Sequence, residues 1–243
     1  ELWKSDGTAS GTVMVKDINS GSGSSPQALT VIGNTLYFTA DDGTNGEELW
    51  KSDGTASGTV LVKDIRPGGP GSNLGSFTAV GNTLYFQADD GTNGFELWKS
   101  DGTANGTVMV KDIYSGSGSS NPSYLAAFGN TLYFEAGDGT NGNELWKSDG
   151  TASGTMMVKD IRSGGTGSSP SRLTAVGNTL YFGANDGING YELWKSDGTA
   201  SGTVMVKDIN SGGTVTYPAG SSPLSLTAVG NTLYFVAQDG TNG

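Results

Sequence analysis

Hydrophobic positions fall in short bursts along the chain, such as "LTVI", "TLYFTA", "ELWKSD" and "TVMVKDI", and the separators "GN", "DDGTNG" and "DGTASGT" stand between them. The bursts are rich in β-branched and aromatic residues, and the separators are turn signals of hairpin length. A fourth separator, "NSGSGSSPQA", is the longest. The pattern predicts four antiparallel strands that pair in sequence order, followed by a crossover. Apolar residues occupy adjacent positions, as in Leu36, Tyr37 and Phe38 or Leu2 and Trp3. A strand apolar on both sides needs cover on both faces.

The pattern repeats. Glu1, Glu48, Glu96, Glu144 and Glu192 open near-identical strings at intervals of 47 or 48 residues. A fixed period of this size sets the whole architecture. Radially packed four-stranded sheets cover one another on both faces, and the long separator crosses from one sheet to the next. A β-solenoid would not need three hairpin turns per unit. The expected fold is all-β, a five-bladed β-propeller forming one domain over residues 1–243, with units starting near residues 1, 48, 96, 144 and 192. The chain starts inside a blade and stops inside one, so residues 1–18 would complete the last blade, with strand 232–237 pairing with strand 1–5. The alternative is an excerpt of a longer array.

Counting outward from the turn places Ser5 opposite Thr12, Trp3 opposite Met14 and Glu1 opposite Lys16, which predicts a Glu1–Lys16 ion pair. All ten lysines occupy the Lys4 and Lys16 positions of the repeat. Trp3, Trp50, Trp98, Trp146 and Trp194 each sit beside a leucine within a strand, so core packing is expected ahead of a role as sugar-stacking platforms. Asp6, Gly7, Thr8 and Gly11 suit a turn with a positive φ and side-chain hydrogen bonds to the backbone.

The string "ELWKSDGTASGT" resembles the ELWxxDGT repeat family, whose members are large, mostly exported bacterial proteins with tandem propeller-like units, and the likeness covers essentially all 243 residues. It implies a secreted or cell-surface location and assigns no activity. The turn is also similar to the Asp-box hairpin of sialidase-type propellers, with Ser5, Asp6 and Gly7 in order. Val13 stands where that motif has an aromatic residue, and no glycosidase activity is implied.

Composition narrows the chemistry. The net charge of −11 disfavours nucleic acid and anionic membranes as partners. No run of eighteen apolar residues suggests membrane insertion, and no charged-then-apolar leader is present. His and Cys are absent, which removes the usual bases, thiol nucleophiles and commonest transition-metal ligands. Carboxylate pairs remain, but each is copied around the repeat, whereas a catalytic pair needs an environment of its own. The expectation is a protein that is not an enzyme and needs no cofactor. The loop "DDGTNG" at 41–46 has a calcium-loop flavour. Its first position reads Asp41, Asp89, Gly137, Asn185 and Gln238, so a hairpin stabilised by Asp and Asn is expected. Ca²⁺ is the alternative, with Asp41, Asp42, Asp89 and Asp90 as its first sites.

The copies diverge at one end of the units, where the long crossover and the "DGTNG" turn lie. Aromatic and Arg side chains are favoured recognition anchors. Phe95, Tyr191, Arg66, Arg162, Tyr114 and Tyr217 of the enlarged "GGTVTYPAG" are therefore the candidate ligand-binding residues. The expected function is a structural or adhesion module that binds a protein or glycan surface; the alternative is a multivalent lectin-like propeller.

Overall fold

The computed structural model describes residues 1–212 and 219–242, and among them there is no helix. The chain divides into two compact units, residues 1–119 and 120–243. The first unit opens with a two-stranded sheet, β1 (Leu2–Lys4) and β2 (Val13–Lys16). A four-stranded sheet follows, formed in order by β3 (Gln27–Ile32), β4 (Thr35–Asp41), β5 (Glu47–Ser52) and β6 (Val60–Lys63). The next is β7 (Gly75–Val80), β8 (Thr83–Asp89), β9 (Phe95–Ser100) and β10 (Val108–Lys111).

The second unit has two such sheets, β11 (Ser123–Phe128), β12 (Thr131–Gly137), β13 (Asn143–Ser148) and β14 (Met156–Lys159), then β15 (Ser171–Val176), β16 (Thr179–Asn185), β17 (Tyr191–Ser196) and β18 (Val204–Lys207). It ends in a two-stranded sheet, β19 (Leu224–Val229) and β20 (Thr232–Val236). Pairing is antiparallel in sequence order throughout, as the hairpin-length turns require. Within the units, β1 pairs with β2 and β20 with β19.

Adjacent apolar residues in a strand do face two different sheets. Phe38, Ala40 and Trp50 pack with Leu2, Val15 and Ile18 of the preceding sheet. Their neighbours Tyr37 and Leu49 pack with Leu84, Phe86, Ala88 and Trp98 of the following one. In the second unit Tyr133, Leu145 and Val158 meet Leu180, Phe182, Ala184 and Trp194. Trp50, Trp98, Trp146 and Trp194 are buried, as expected of core residues, but Trp3 is 59% exposed. Within the first unit no sheet precedes β1–β2, so nothing there covers its ring.

The eight-residue turn is closed by its own side chains. Ser5 Oγ and Thr12 Oγ1 lie 2.8 Å apart across its base, Asp6 Oδ1 accepts from Thr8 N and Thr8 Oγ1, and Thr8 Oγ1 accepts from Gly11 N. Gly7 has φ +90°, and a Cβ on Gly11 would fall 2.0 Å from Asp6 Oδ1, so both glycines are required. Trp3 is opposite Met14 as counted, but a register shift between Leu2 and Trp3 puts Leu2 opposite Lys16. The Glu1–Lys16 ion pair therefore does not form. The bulge turns both side chains to other partners.

Candidate functional site

Most of the polar residues that recur in each repeat are taken up by the fold; the exceptions among the carboxylates are Asp64, Asp112, Asp160 and Asp208, each with a buried Oδ1 that has no hydrogen-bond partner among the described residues. Glu48, Glu96, Glu144 and Glu192 are fully buried. Glu144 accepts from Ile161 N at 3.0 Å, Arg162 N at 3.1 Å, Ser168 N at 2.8 Å and Ser168 Oγ at 2.6 Å, so the third strand holds down the crossover that leaves the sheet. Glu48 does the same with Ile65 N, Arg66 N and Ser72 Oγ. Burial pushes the Glu48 and Glu144 carboxyls up despite these donors. At Glu1 burial also works upward, but it is weaker, and Ile18 N, Ser24 Oγ and Asn19 N hold the carboxyl below its ordinary value.

The lysines reach across to the following sheet. Lys4 Nζ donates to Gly54 O at 2.8 Å and Lys16 Nζ to Thr59 O at 2.8 Å. Lys51 and Lys63 repeat these bonds to Gly102 O and Thr107 O, and in the second unit Lys147 and Lys159 bond Gly198 O and Thr203 O. The second lysine of each pair also lies over a tryptophan, Lys16 Nζ at 5.9 Å from the Trp50 ring centre and Lys63 Nζ at 5.8 Å from that of Trp98.

The "DGTNG" loops close on themselves too. Asp42 Oδ1 accepts from Thr44 N and Asn45 N, and Oδ2 accepts from Asn45 Nδ2 at 2.7 Å. Asp90, Asp138, Asp186 and Asp239 have the same arrangement. Burial opposes ionisation of Asp42, but the bonds from Asn45 and Thr44 outweigh it and hold the carboxyl below its ordinary value. Asp41 Oδ1 accepts from Gly43 N. Asp89 Oδ1 accepts from Gly91 N, and Asp89 Oδ2 pairs with Arg66 Nη1 at 2.7 Å. The candidate calcium ligands thus hold hydrogen-bond donors, and no group of three or more His, Cys, Asp or Glu suited to a metal occurs among the described residues.

Within each unit the divergent positions lie at the crossover ends of the sheets. In the first unit Arg66 grips Asp89, which is the cross-strand partner of Phe95, so these three form one corner. Tyr114 lies against Gly118, where a Cβ would meet its ring at 2.3 Å. In the second unit Arg162 lies beside Gly187, and the Tyr191 ring fills the hollow left by Gly183. Tyr217 lies outside the described residues. Tyr191 is half-buried, and burial raises its phenol's pKa despite a bond to Ser171 Oγ. Its hydroxyl donates to Ser169 O at 2.9 Å, and Arg172 Nη1 donates to Ser171 Oγ at 3.0 Å.

A second row of divergent residues adjoins Tyr191. Glu135, 7% exposed, accepts from Ser123 Oγ at 2.6 Å and Asn143 Nδ2 at 3.1 Å. Tyr124 and Glu135 belong to β11 and β12, which pack against β15, the strand of Ser171 and Arg172. Ser123, Tyr124, Asn143, Ser171 and Arg172 were not singled out from the sequence as binding residues. Variation at equivalent positions was visible at Glu135 and Asn143, but nothing local linked them to Arg172.

No protein-family model matches the chain, and no curated protein matches it. Among solved structures, the computationally designed Ika8 protein is similar at TM-score 0.48 and 19% identity, over 93% of this chain and 59% of that one. A puromycin hydrolase S511A mutant complexed with PGG gives TM-score 0.54 at 16% identity, over 82% of this chain and 31% of that one. Puromycin hydrolase itself gives 0.53 at 15% over the same shares. The chain therefore spans less than two thirds of each of these proteins. At such identities the hydrolase likeness is one of fold, and the fold is a β-propeller-like repetition of antiparallel sheets.

Proposed function

We propose that the chain is a non-catalytic binding or adhesion module of an exported repeat protein, built as a five-bladed β-propeller that uses its crossover ends for recognition. The observation that carries this reading is the division of labour among polar residues. Copied residues such as Glu144 and Lys147 are occupied by the fold, whereas those that differ lie at the crossover ends. The repeated Glu144 and Asp138 carboxylates are held by backbone and side-chain donors, whereas Asp64, Asp112, Asp160 and Asp208 each keep a buried Oδ1 without a partner among the described residues, and the proposal assigns these no chemistry.

Closure of the ring rests on complementary leftovers. Lys195 and Lys207, unlike Lys147 and Lys159, are exposed and have no acceptor among the described residues. Trp3 has no lysine over it, and a groove of about 260 Å³ beside it is lined by Leu2, Val15, Val31 and Leu36. In the register of Leu36↔Ser52 and Phe38↔Trp50, β20 would set Leu233 against Ser5 and Phe235 against Trp3. The proposed fifth blade is then β19, β20, β1 and β2. Because the crossover-end residues differ between copies, unequal sites are favoured over five equal lectin pockets.

The test is a screen of glycans and proteins with the chain and with an F95S/R162S variant of verified fold. Binding that is lost in the variant is the expected result. Binding that survives there and disappears when the "GN" and "DGTASGT" turns are altered would overturn the assignment of the recognition surface.

A further inference from the structure

The second unit contains a polar cluster that the other repeats do not copy, and its two largest exposed members sit on strained backbone. Tyr124 has φ +51° and Arg172 φ +58°, each in the register shift that opens its strand. The equivalent positions elsewhere carry the small residues Ala28, Ser76 and Ser225. Large non-glycine side chains at left-handed φ persist where surrounding structure or a function retains them. Tyr124 is 50% exposed, so burial of its ring does not account for its presence.

Arg172 is exposed and makes no ion pair among the described residues. One of its five N–H donors is used on Ser171 Oγ, and the Tyr191 hydroxyl fixes that serine in turn. Ser171 and Tyr191 are thus positioning residues for a guanidinium whose remaining donors are unclaimed. A planar guanidinium pairs best with a carboxylate or phosphate. Glu135, on the strand β12 that packs against β15, disfavours a dianion, as does the net charge of −11. A cation is disfavoured by Arg172 and by the donors already on both Glu135 oxygens. What remains is a single carboxylate attached to a body that can lie on an aromatic face.

Resting on the recognition role proposed above, we propose that Arg172 and Tyr124, with Ser171 and Tyr191 as support, bind a sugar acid of the uronic type. Its carboxylate meets the free guanidinium donors, and its ring C–H face lies on Tyr124. Among the described residues there is one such site, because Gly183 and Tyr191 on one sheet and Glu135 and Asn143 on its neighbour occur in no other repeat.

Saturation-transfer NMR with sodium glucuronate, and with glucose as the neutral control, tests the site. Glucuronate should bind, glucose should not, and R172G and Y124G should each weaken glucuronate at least about tenfold. Because glycine relieves a positive φ, both variants should keep or raise the melting temperature, which separates loss of binding from loss of fold. Absence of glucuronate binding, equal binding of glucose, or equal affinity in R172G would each overturn the proposal. If glucuronate fails while another ligand binds through Phe95 or Arg162, this site falls and the recognition role stands. If no ligand depends on the crossover ends, both fall.

Discussion

Replacing two tryptophans in turn measures whether the ring closes. Trp98 is 6% exposed, between Tyr37 and Leu49 of one sheet and Phe86 of its own, with Lys63 over its face. Trp98→Ala should therefore cost about 3–5 kcal/mol, the lost transfer energy plus the cavity. Trp3 holds the same repeat position but is 59% exposed. The difference is about half of the ~250 Å² that a tryptophan can bury, worth about 3 kcal/mol at ~25 cal/mol per Å². If β20 and Lys207 complete the first sheet as proposed, that difference vanishes, and Trp3→Ala should cost within about 1 kcal/mol of Trp98→Ala. Urea unfolding of both variants, with matched slopes, reads the two values. A Trp3→Ala cost smaller by the full ~3 kcal/mol would refute closure.

Four further outcomes follow from the polar residues. Glu144→Ala strips acceptors from three backbone N–H groups and one hydroxyl, so it should cost about 3–5 kcal/mol in urea unfolding and speed proteolysis of the 161–168 crossover; a cost under ~1 kcal/mol would contradict the clamp. The carboxyls of Asp42, Asp90, Asp138 and Asp186 are lowered in the fold, so their contribution is present above the unfolded carboxylate pKa and is lost as pH falls through the folded value. Melting temperatures across the acid range should drop less steeply in D42N/D90N than in the parent chain. Glu48 and Glu144 are raised, so what they contribute is full below the unfolded value and fades as pH rises through the folded one; Glu144→Gln should remove part of that fade. A chelator should leave the melting temperature unchanged, since Asn45 and Thr44 hold the Asp42 oxygens; a large calcium-dependent rise would reverse this.

The sequence by itself determined what depends on near neighbours. Strand positions, hairpin order and the "DGTASGT" turn follow from residues at most eight apart, whose hydrogen bonds close locally, as between Asp6, Thr8 and Gly11. The need for cover on both faces was legible in adjacent apolar residues such as Tyr37 and Phe38, because side chains alternate along a strand. Tertiary structure decided the rest. A one-residue bulge sent Glu1 to Ile18 N and Lys16 to Thr59 O, and uniform pairing from the turn outward does not foresee a bulge. Trp3 and Trp98 have the same local sequence, yet their exposure depends on whether another sheet lies against them. The grouping of Glu135, Arg172 and Tyr191 depends on how neighbouring sheets pack. Residues on separate sheets share no local period, so only the packed chain brings their charges together.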